Sequence, residues 1–242
     1  KNKKTEGVLR SVQTGIKNID SKYLYIQSSD DIIYNNFFEE NLRIIGKYPK
    51  AAYVFSNIKI NNIINKKKYF IKFNFLKKKF ISSSEVGRIY NNFQFKIYHN
   101  TVVLNSKKFI KSNLFKEKYG RRADMLNLQY LSMKHGFCYS NKTLSEFTIR
   151  KGQLSEKNKL NDNYLLNELK ILKKFQKKFF NFFIKNNLHY EISIFSLFKI
   201  INKFGNIITL KFLFRSIKFK IWKFLRFYLN PYLLNFLFRI FN

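Results

Sequence analysis

Cysteine is nearly absent from this 242-residue chain, and several other common features are missing. Cys138 is the single cysteine, so the chain can form neither a disulfide framework nor a cysteine-based zinc site. No uncharged apolar run reaches the length that a bilayer-spanning helix needs, and the sequence therefore predicts no transmembrane segment. We expect a reduced setting, either free in the cytoplasm or peripheral on the cytoplasmic face of the membrane.

Acidic residues are also scarce, with fourteen of them against forty-seven lysines and arginines and a formal net charge of +33. Such a charge favours an anionic partner: nucleic acid, a phospholipid surface or a phosphorylated ligand. Only nine of the cations are arginines, and asparagine, isoleucine and phenylalanine are abundant, a mixture that AT-rich coding DNA also produces. Because phosphate-binding sites favour the bidentate arginine fork, the charge alone does not identify the partner.

The strongest candidate for a chemical site is the stretch over residues 20–31, which reads D-S-K-Y-L-Y-I-Q-S-S-D-D. Residues 23–26 predict a short buried strand, and two serines and two aspartates follow where that strand leaves the sheet. Ligands gather at the carboxyl ends of strands in open α/β sheets. Neighbouring carboxylates repel each other, and a divalent cation with a phosphate ligand would compensate that repulsion. In the alternative, Asp30 or Asp31 simply caps a helix over 37–45.

The order of elements around this stretch resembles family-two glycosyltransferases, which have the GT-A fold. In that family a strand runs into an aspartate-rich metal motif, and a helix and a second strand follow. Here a helix is predicted over 35–46 and a strand over 51–57. The resemblance implies that Asp30 binds Mn²⁺ or Mg²⁺ and that the neighbouring residues Ser28, Ser29 and Asp31 bind the sugar donor. The family usually has aspartate at the place of Ser28.

A second group of motifs lies between residues 116 and 155. Asp124 opens a predicted helix, Gly136 ends it, and strands are predicted over 137–139 and 143–149. This order resembles the family's acidic pair, helix and glycine stop, and its ending with an arginine, which is Arg150 here. The resemblance implies that Asp124 is the catalytic base. We expect Arg150, like Arg121 and Arg122, to contact the donor diphosphate or a phosphorylated acceptor; in the alternative these arginines are only solvated. Ala123 replaces the first acid of the pair, and in the alternative Asp124 caps its own helix.

Other segments predict elements without an assigned chemistry. Residues 5–18 predict a helix, 69–75 a half-exposed strand, and 98–104 a strand on which His99 is a polar edge residue. Serines 82–84 with Glu85 predict a capped helix start. Residues 12–16 resemble the family segment beneath the donor site, and we therefore expect further strands upstream of Lys1.

The predicted fold is α/β: a partial GT-A mixed sheet flanked by helices over residues 1–155, followed by a helical tail over 156–242. The tail is rich in lysine and phenylalanine at helical spacing, which suits helices that lie on an anionic membrane surface. In the alternative, the tail packs on the catalytic domain or on another subunit.

The predicted function is the inverting transfer of a sugar from a nucleotide-diphosphate sugar to a hydroxyl of a glycan or a lipid-linked acceptor. No Q-x-x-R-W segment is present, which by the same resemblance favours single addition over polymer synthesis. A nucleic-acid-binding or ribosome-associated protein is the rival class, disfavoured because the sequence has no RNA-binding motif and its basic residues are spread along the chain. The departures at Ser28 and Ala123 keep a third alternative open, a catalytically inactive protein of the membrane surface.

Overall fold

A mixed β-sheet with helices on both faces forms the described part of the chain. The computed structural model describes residues 7–92 and 97–153. Its elements, in chain order, are α1 (Val8–Ile16), β1 (Tyr23–Tyr25), β2 (Ile32–Ile33), α2 (Phe37–Lys47), β3 (Tyr53–Asn62), β4 (Lys67–Ile71), β5 (Phe80–Ile81), α3 (Ser83–Asn92), β6 (Val103–Asn105), α4 (Ser106–Ser112), α5 (Ala123–His135) and β7 (Phe137–Ile149), with 3₁₀ turns at His99–Thr101 and Glu117–Arg122. The predicted α/β mixed sheet flanked by helices is confirmed.

The strand directions bring several chain segments to one edge of the sheet. The strand order is β1-β6-β3-β7-β2, with β4 added to β3 and β5 added to β7. β3 and β7 are parallel, and β6 is antiparallel to both β1 and β3. β1, β3 and β7 therefore run in the same direction, and the segments that follow them leave the sheet towards the same edge.

The core consists of two layers, one on each face of the sheet. Successive side chains of a strand point to opposite faces, and β3 shows this directly. Val54 packs with Phe37 and Ile44 of α2, whereas Tyr53 on the other face stacks on Phe137 with 5.7 Å between ring centroids. These residues are 2% exposed or less. Burial on both faces holds β3 and β7 in a fixed register, and this register positions the segments at the sheet edge.

Most of the predicted elements are confirmed, and several differ. β2 and β5 were not predicted, and the strand predicted over 51–57 continues to Asn62 as β3. The two strands predicted over 137–139 and 143–149 are one continuous strand, β7. The strand predicted over 98–104 begins only at Val103, because a 3₁₀ turn precedes it. The strand predicted over 69–75 is β4, and it is exposed on both faces rather than on one.

The predicted helical tail over 156–242 and the domain boundary after Ser155 lie outside the described residues. Among residues 7–92 and 97–153, no helix combines the length and the apolar character that crossing a bilayer requires. The membrane association of the tail stays a prediction.

Candidate functional site

An ion pair joins the end of β1 to the end of β7. Asp30 follows β1, and its Oδ2 lies 3.3 Å from Nε of Arg150, the first residue after β7. The Gln153 side-chain amide donates to the same oxygen at 3.3 Å, across 123 residues of sequence. The structure therefore brings together the predicted metal ligand and the predicted diphosphate-binding arginine. The Arg150 side chain is 56% exposed, so it is accessible to a ligand from solvent.

Asp31, adjacent to Asp30, lies in a different environment. Its side chain is buried, and the backbone N–H of Thr148 in β7 donates to its Oδ1 at 3.4 Å. Burial, with a smaller contribution from the negative charge of Asp30, raises the pKa of Asp31 to about 6, and hydrogen bonds from Thr148 and Ser28 oppose this shift. Asp31 thus attaches the loop after β1 to the sheet, whereas the Asp30 side chain remains 21% exposed.

Neither aspartate caps the following helix. The residue before α2 is Asn36, and it makes no side-chain capping bond. The capping alternative for Asp30 and Asp31 is therefore wrong, because β2 separates both residues from the start of α2.

Ser28 and Ser29 form the exposed turn beside this ion pair. The backbone N–H of Asp31 donates to the Ser28 carbonyl oxygen at 3.3 Å, which closes the turn. Both serine side chains are open to solvent next to Asp30. Their donor-binding role, and that of Asp31, stays a prediction.

The carboxylate of Asp30 suits a cation that takes most of its ligands from phosphate and water. Among the described residues there is no group of three or more His, Cys, Asp or Glu side chains that could hold a metal ion. Mg²⁺ usually keeps several waters and binds through one or two carboxylates together with substrate phosphates, so a single partly exposed carboxylate beside an open turn fits such an ion. It does not fit a cation held in a cage of protein ligands.

Asp124 lies in the first turn of α5. It is the second residue of the helix, and its Oδ1 accepts a hydrogen bond from the backbone N–H of Met125 at 2.6 Å. Because Asp124 is inside the helix, it is not the N-cap residue. A carboxylate in the first turn interacts favourably with the positive end of the helix dipole.

His99 lies near Asp124 and bonds to the segment after β1, a position that the sequence did not predict. One of its ring nitrogens donates to the carbonyl oxygen of Ile26, while Nε2 is buried without a hydrogen-bond partner. Burial lowers the pKa of His99, and the charge of Asp124 partly offsets that shift. The histidine is therefore neutral at pH 7. The 3₁₀ turn at His99–Thr101 brings the imidazole to the Ile26 carbonyl. No residue spacing in the sequence predicts this contact.

A network of polar contacts supports the floor of the site. The Tyr25 hydroxyl donates to the Asn100 carbonyl oxygen at 3.1 Å, and the Asn100 side-chain amide donates to the Glu146 carbonyl oxygen at 3.3 Å. Lys59 Nζ lies 2.8 Å from Oε2 of Glu146, and this ion pair lowers the pKa of Glu146. These bonds connect β1, β3 and β7 beneath the loops that carry Asp30 and Arg150. The structure gives no direct contact between Asp30 and Asp124.

A cavity of about 230 Å³ lies at the opposite end of α5. Its lining is basic and consists of Lys107, Lys108, Lys111, Ser112, Tyr130, Lys134 and His135. At a rise of about 1.5 Å per residue, the helix separates His135 from Asp124 by roughly 16 Å. The Lys108 ammonium already donates to the carbonyl oxygens of three residues, Pro49, Lys50 and Ala51. This cavity is therefore separate from the candidate site.

Comparison with known proteins gives similarity to solved structures only. No protein-family model matches the chain, and no curated protein matches its sequence. A crystal structure of Staphylococcus aureus TarS 1-349 in complex with UDP-GlcNAc has a TM-score of 0.49 at 13% identity, covering 78% of this chain and 57% of that one. A second structure of TarS 1-349 has a TM-score of 0.47 at 13% identity, covering 82% and 58%. The chain thus spans less than two thirds of either TarS chain, and similarity at this level assigns it to no family.

Proposed function

We propose that this chain is part of a nucleotide-sugar-dependent glycosyltransferase of GT-A type, which transfers a single sugar with inversion. The observation that carries the proposal is the meeting of Asp30 with Arg150 at the sheet edge where parallel strands end. A carboxylate, an arginine and an exposed serine turn at such an edge suit a nucleotide diphosphate.

The reaction divides between the two ends of the site. The acceptor hydroxyl attacks the anomeric carbon while the bond from that carbon to the diphosphate oxygen breaks, and the electron pair leaves with the nucleotide diphosphate. Asp124 takes the proton of the attacking hydroxyl as general base. His99 holds the segment after β1 beside Asp124 through its bond to Ile26. Attack on the face opposite to the leaving group inverts the anomeric centre.

Charge stabilisation falls to Arg150 and Asp30. The guanidinium of Arg150 forms charge-assisted hydrogen bonds to the departing diphosphate. Asp30 would hold Mn²⁺ or Mg²⁺, and such an ion would supply positive charge to offset the negative charge of the departing diphosphate. We infer a glycan or a lipid-linked molecule as acceptor and a cytoplasmic location, with peripheral attachment to the membrane.

Binding of UDP and GDP to the full-length protein tests this assignment. Arg150→Gln removes one charge-assisted contact, which is worth about 1.5–3 kcal/mol, so the dissociation constant should rise roughly 10- to 100-fold in Mn²⁺ buffer by calorimetry. Arg88→Gln is the matched control, because it removes an exposed arginine from α3. Equal affinity of wild type and Arg150→Gln, or binding of neither nucleotide by any variant, would contradict the proposal.

A further inference from the structure

The hairpin of β3 and β4 exposes an unusual amount of apolar surface. Nine large hydrophobic side chains are exposed among the described residues, and four of them lie within eight positions of this hairpin. These are Ile63 (56% exposed), Ile64 (47%), Tyr69 (46%) and Phe70 (58%). Tyr69 and Phe70 are adjacent in β4 and therefore point to opposite faces of the strand, so the strand is uncovered on both faces.

The turn of this hairpin holds two isoleucines in a fixed position. Turn tips normally carry Gly, Asn, Asp, Ser or Pro, which suit the backbone conformation of a turn. An isoleucine offers no such advantage there, and its apolar side chain is left in water. The side-chain oxygen of Asn62 accepts hydrogen bonds from the backbone N–H groups of Ile64 at 3.0 Å and of Asn65 at 3.3 Å. Hydrogen bonds to Asn62 thus stabilise the turn, in which Ile63 and Ile64 are exposed to solvent.

The hairpin is also strongly basic. Lys66, Lys67 and Lys68 follow the isoleucines, and the Lys72 ammonium lies 6.0 Å from the centroid of the Phe70 ring. The sequence has no acidic residue between Glu40 and Glu85. Lysines on an edge strand commonly prevent aggregation, but that role is at odds with the exposed isoleucines and aromatic rings beside them. The combination suits a partner with an anionic surface and an apolar interior.

The charge selects among the partners that could cover this surface. Residues 156–242 carry seventeen lysines and arginines against four acids, so like charges disfavour the chain's own tail as the partner. Nucleic acid offers phosphates and stacking faces, but it makes no use of two aliphatic side chains at the tip. An anionic bilayer satisfies both features, because lysines meet its headgroups while isoleucine and phenylalanine enter the acyl boundary.

The tip lies at the same sheet edge as the candidate site. The backbone N–H of Ile63 donates to the carbonyl oxygen of Ile149 at 2.9 Å, and Arg150 is the next residue. A bilayer that holds the tip would therefore lie beside the ion pair of Arg150 and Asp30.

We propose that the tip of the β3–β4 hairpin inserts into an anionic membrane surface and places the candidate site at that surface. Ile63, Ile64 and Phe70 enter the headgroup and acyl boundary, and Lys66, Lys67 and Lys68 contact lipid phosphates. The nature of the acceptor rests on the proposed function: with glycosyl transfer at this site, the acceptor is lipid-linked and meets Asp124 at the membrane.

A fluorescent dye at the tip tests insertion independently of the tail. In the full-length protein, Ile64→Cys is labelled with an environment-sensitive thiol dye; burial of the native Cys138, which raises its pKa to about 12, keeps that thiol unreactive. Vesicles of phosphatidylglycerol with phosphatidylcholine should shift the emission to shorter wavelength, and a lipid-borne quencher should reduce it. Vesicles of phosphatidylcholine alone should have little effect.

Leu42→Cys with the same dye is the matched control, since Leu42 is exposed on α2. The proposal is overturned if the dye at position 64 is unchanged on anionic vesicles, whether or not the protein sediments with them. An equal shift at position 42, or a shift caused by RNA and not by vesicles, also overturns it. The assay involves no sugar donor, so its failure would leave the proposed glycosyl transfer standing, and the absence of transfer would not alter its result.

Discussion

At the residue scale, two adjacent aspartates have separate tasks. Asp31 is buried and bonded to the backbone of β7, whereas Asp30 is partly exposed and paired with Arg150. The difference follows from the turn after β1: Asp30 lies within that turn, whereas Asp31 directly precedes β2, which pairs with β7 and brings Asp31 within reach of Thr148. A pair that looks uniform in the sequence thus contains one structural carboxyl group and one that can meet a ligand.

Replacing Asp31 by asparagine should change the pH dependence of stability. The pKa of Asp31 is about 6 in the folded protein and roughly 3.9 in an unfolded chain, so its favourable contribution is present below pH 4 and is lost as pH rises through 6. Asp31→Asn keeps the acceptor for Thr148 and removes the charge. It should raise the free energy of unfolding at pH 7.5 by about 1–3 kcal/mol and leave it nearly unchanged at pH 4.

Urea unfolding at the two pH values measures this difference. Asp20→Asn, which removes an exposed carboxylate, serves as the control and should change stability little at either pH. A variant Asp31→Asn that is less stable than wild type at pH 7.5 would show that the buried carboxylate is needed in its charged form.

At the element scale, the junction of α5 and β7 depends on one glycine. Gly136 has φ of 73°, a conformation that residues with a side chain rarely adopt, and an added Cβ would overlap the carbonyl oxygen of Ile81 in β5. This glycine lets α5 end and β7 begin within one residue. It also lets β5 pair closely with the start of β7.

Gly136→Ala should therefore destabilise the protein by about 2 kcal/mol or more, from strain in the backbone and displacement of β5. Gly46→Ala is the matched control, because an added Cβ in α2 meets no atom within 4 Å and alanine favours the helix by up to about 1 kcal/mol. Thermal unfolding of both variants checks the pair. Equal stability of Gly136→Ala and wild type would contradict this prediction, because it would mean that β5 moves away from the added methyl group without loss of stability.

Hydrophobic periodicity, together with the residues that cap helices and form turns, was enough to predict β1, α2, α5 and the start of α3. At that start, Ser82 and Glu85 form the expected cap. These signals were not enough for β7. Residues 140–142 were left between two predicted strands. In the structure, the Asn57 side-chain amide of β3 donates to the Asn141 carbonyl oxygen at 2.6 Å, and the strand continues through a bulge. Such a contact depends on strand register, which a single sequence does not reveal.

At the scale of the whole molecule, the candidate site is a product of topology. The sequence indicated Asp30, Asp124 and Arg150 through the order of motifs, but their relation depends on β1 and β7 running in the same direction. The positions of His99 and Thr148 beside these residues could not be predicted, because each contact joins segments that are remote in sequence. The same topology sets the β3–β4 hairpin beside the site, although its sequence predicted only a half-exposed strand.

Turnover by the full-length protein tests the central claim most directly. Hydrolysis and transfer are measured from a panel of UDP- and GDP-sugars with Mn²⁺, for wild type, Asp30→Asn, Asp124→Asn and the control Asp20→Asn. Loss of the general base should reduce kcat about 10²- to 10⁴-fold in Asp124→Asn, and Asp30→Asn should lose its response to Mn²⁺, while Asp20→Asn behaves as wild type. Absence of turnover with every donor, together with tight RNA binding that weakens log-linearly with salt, would contradict the account.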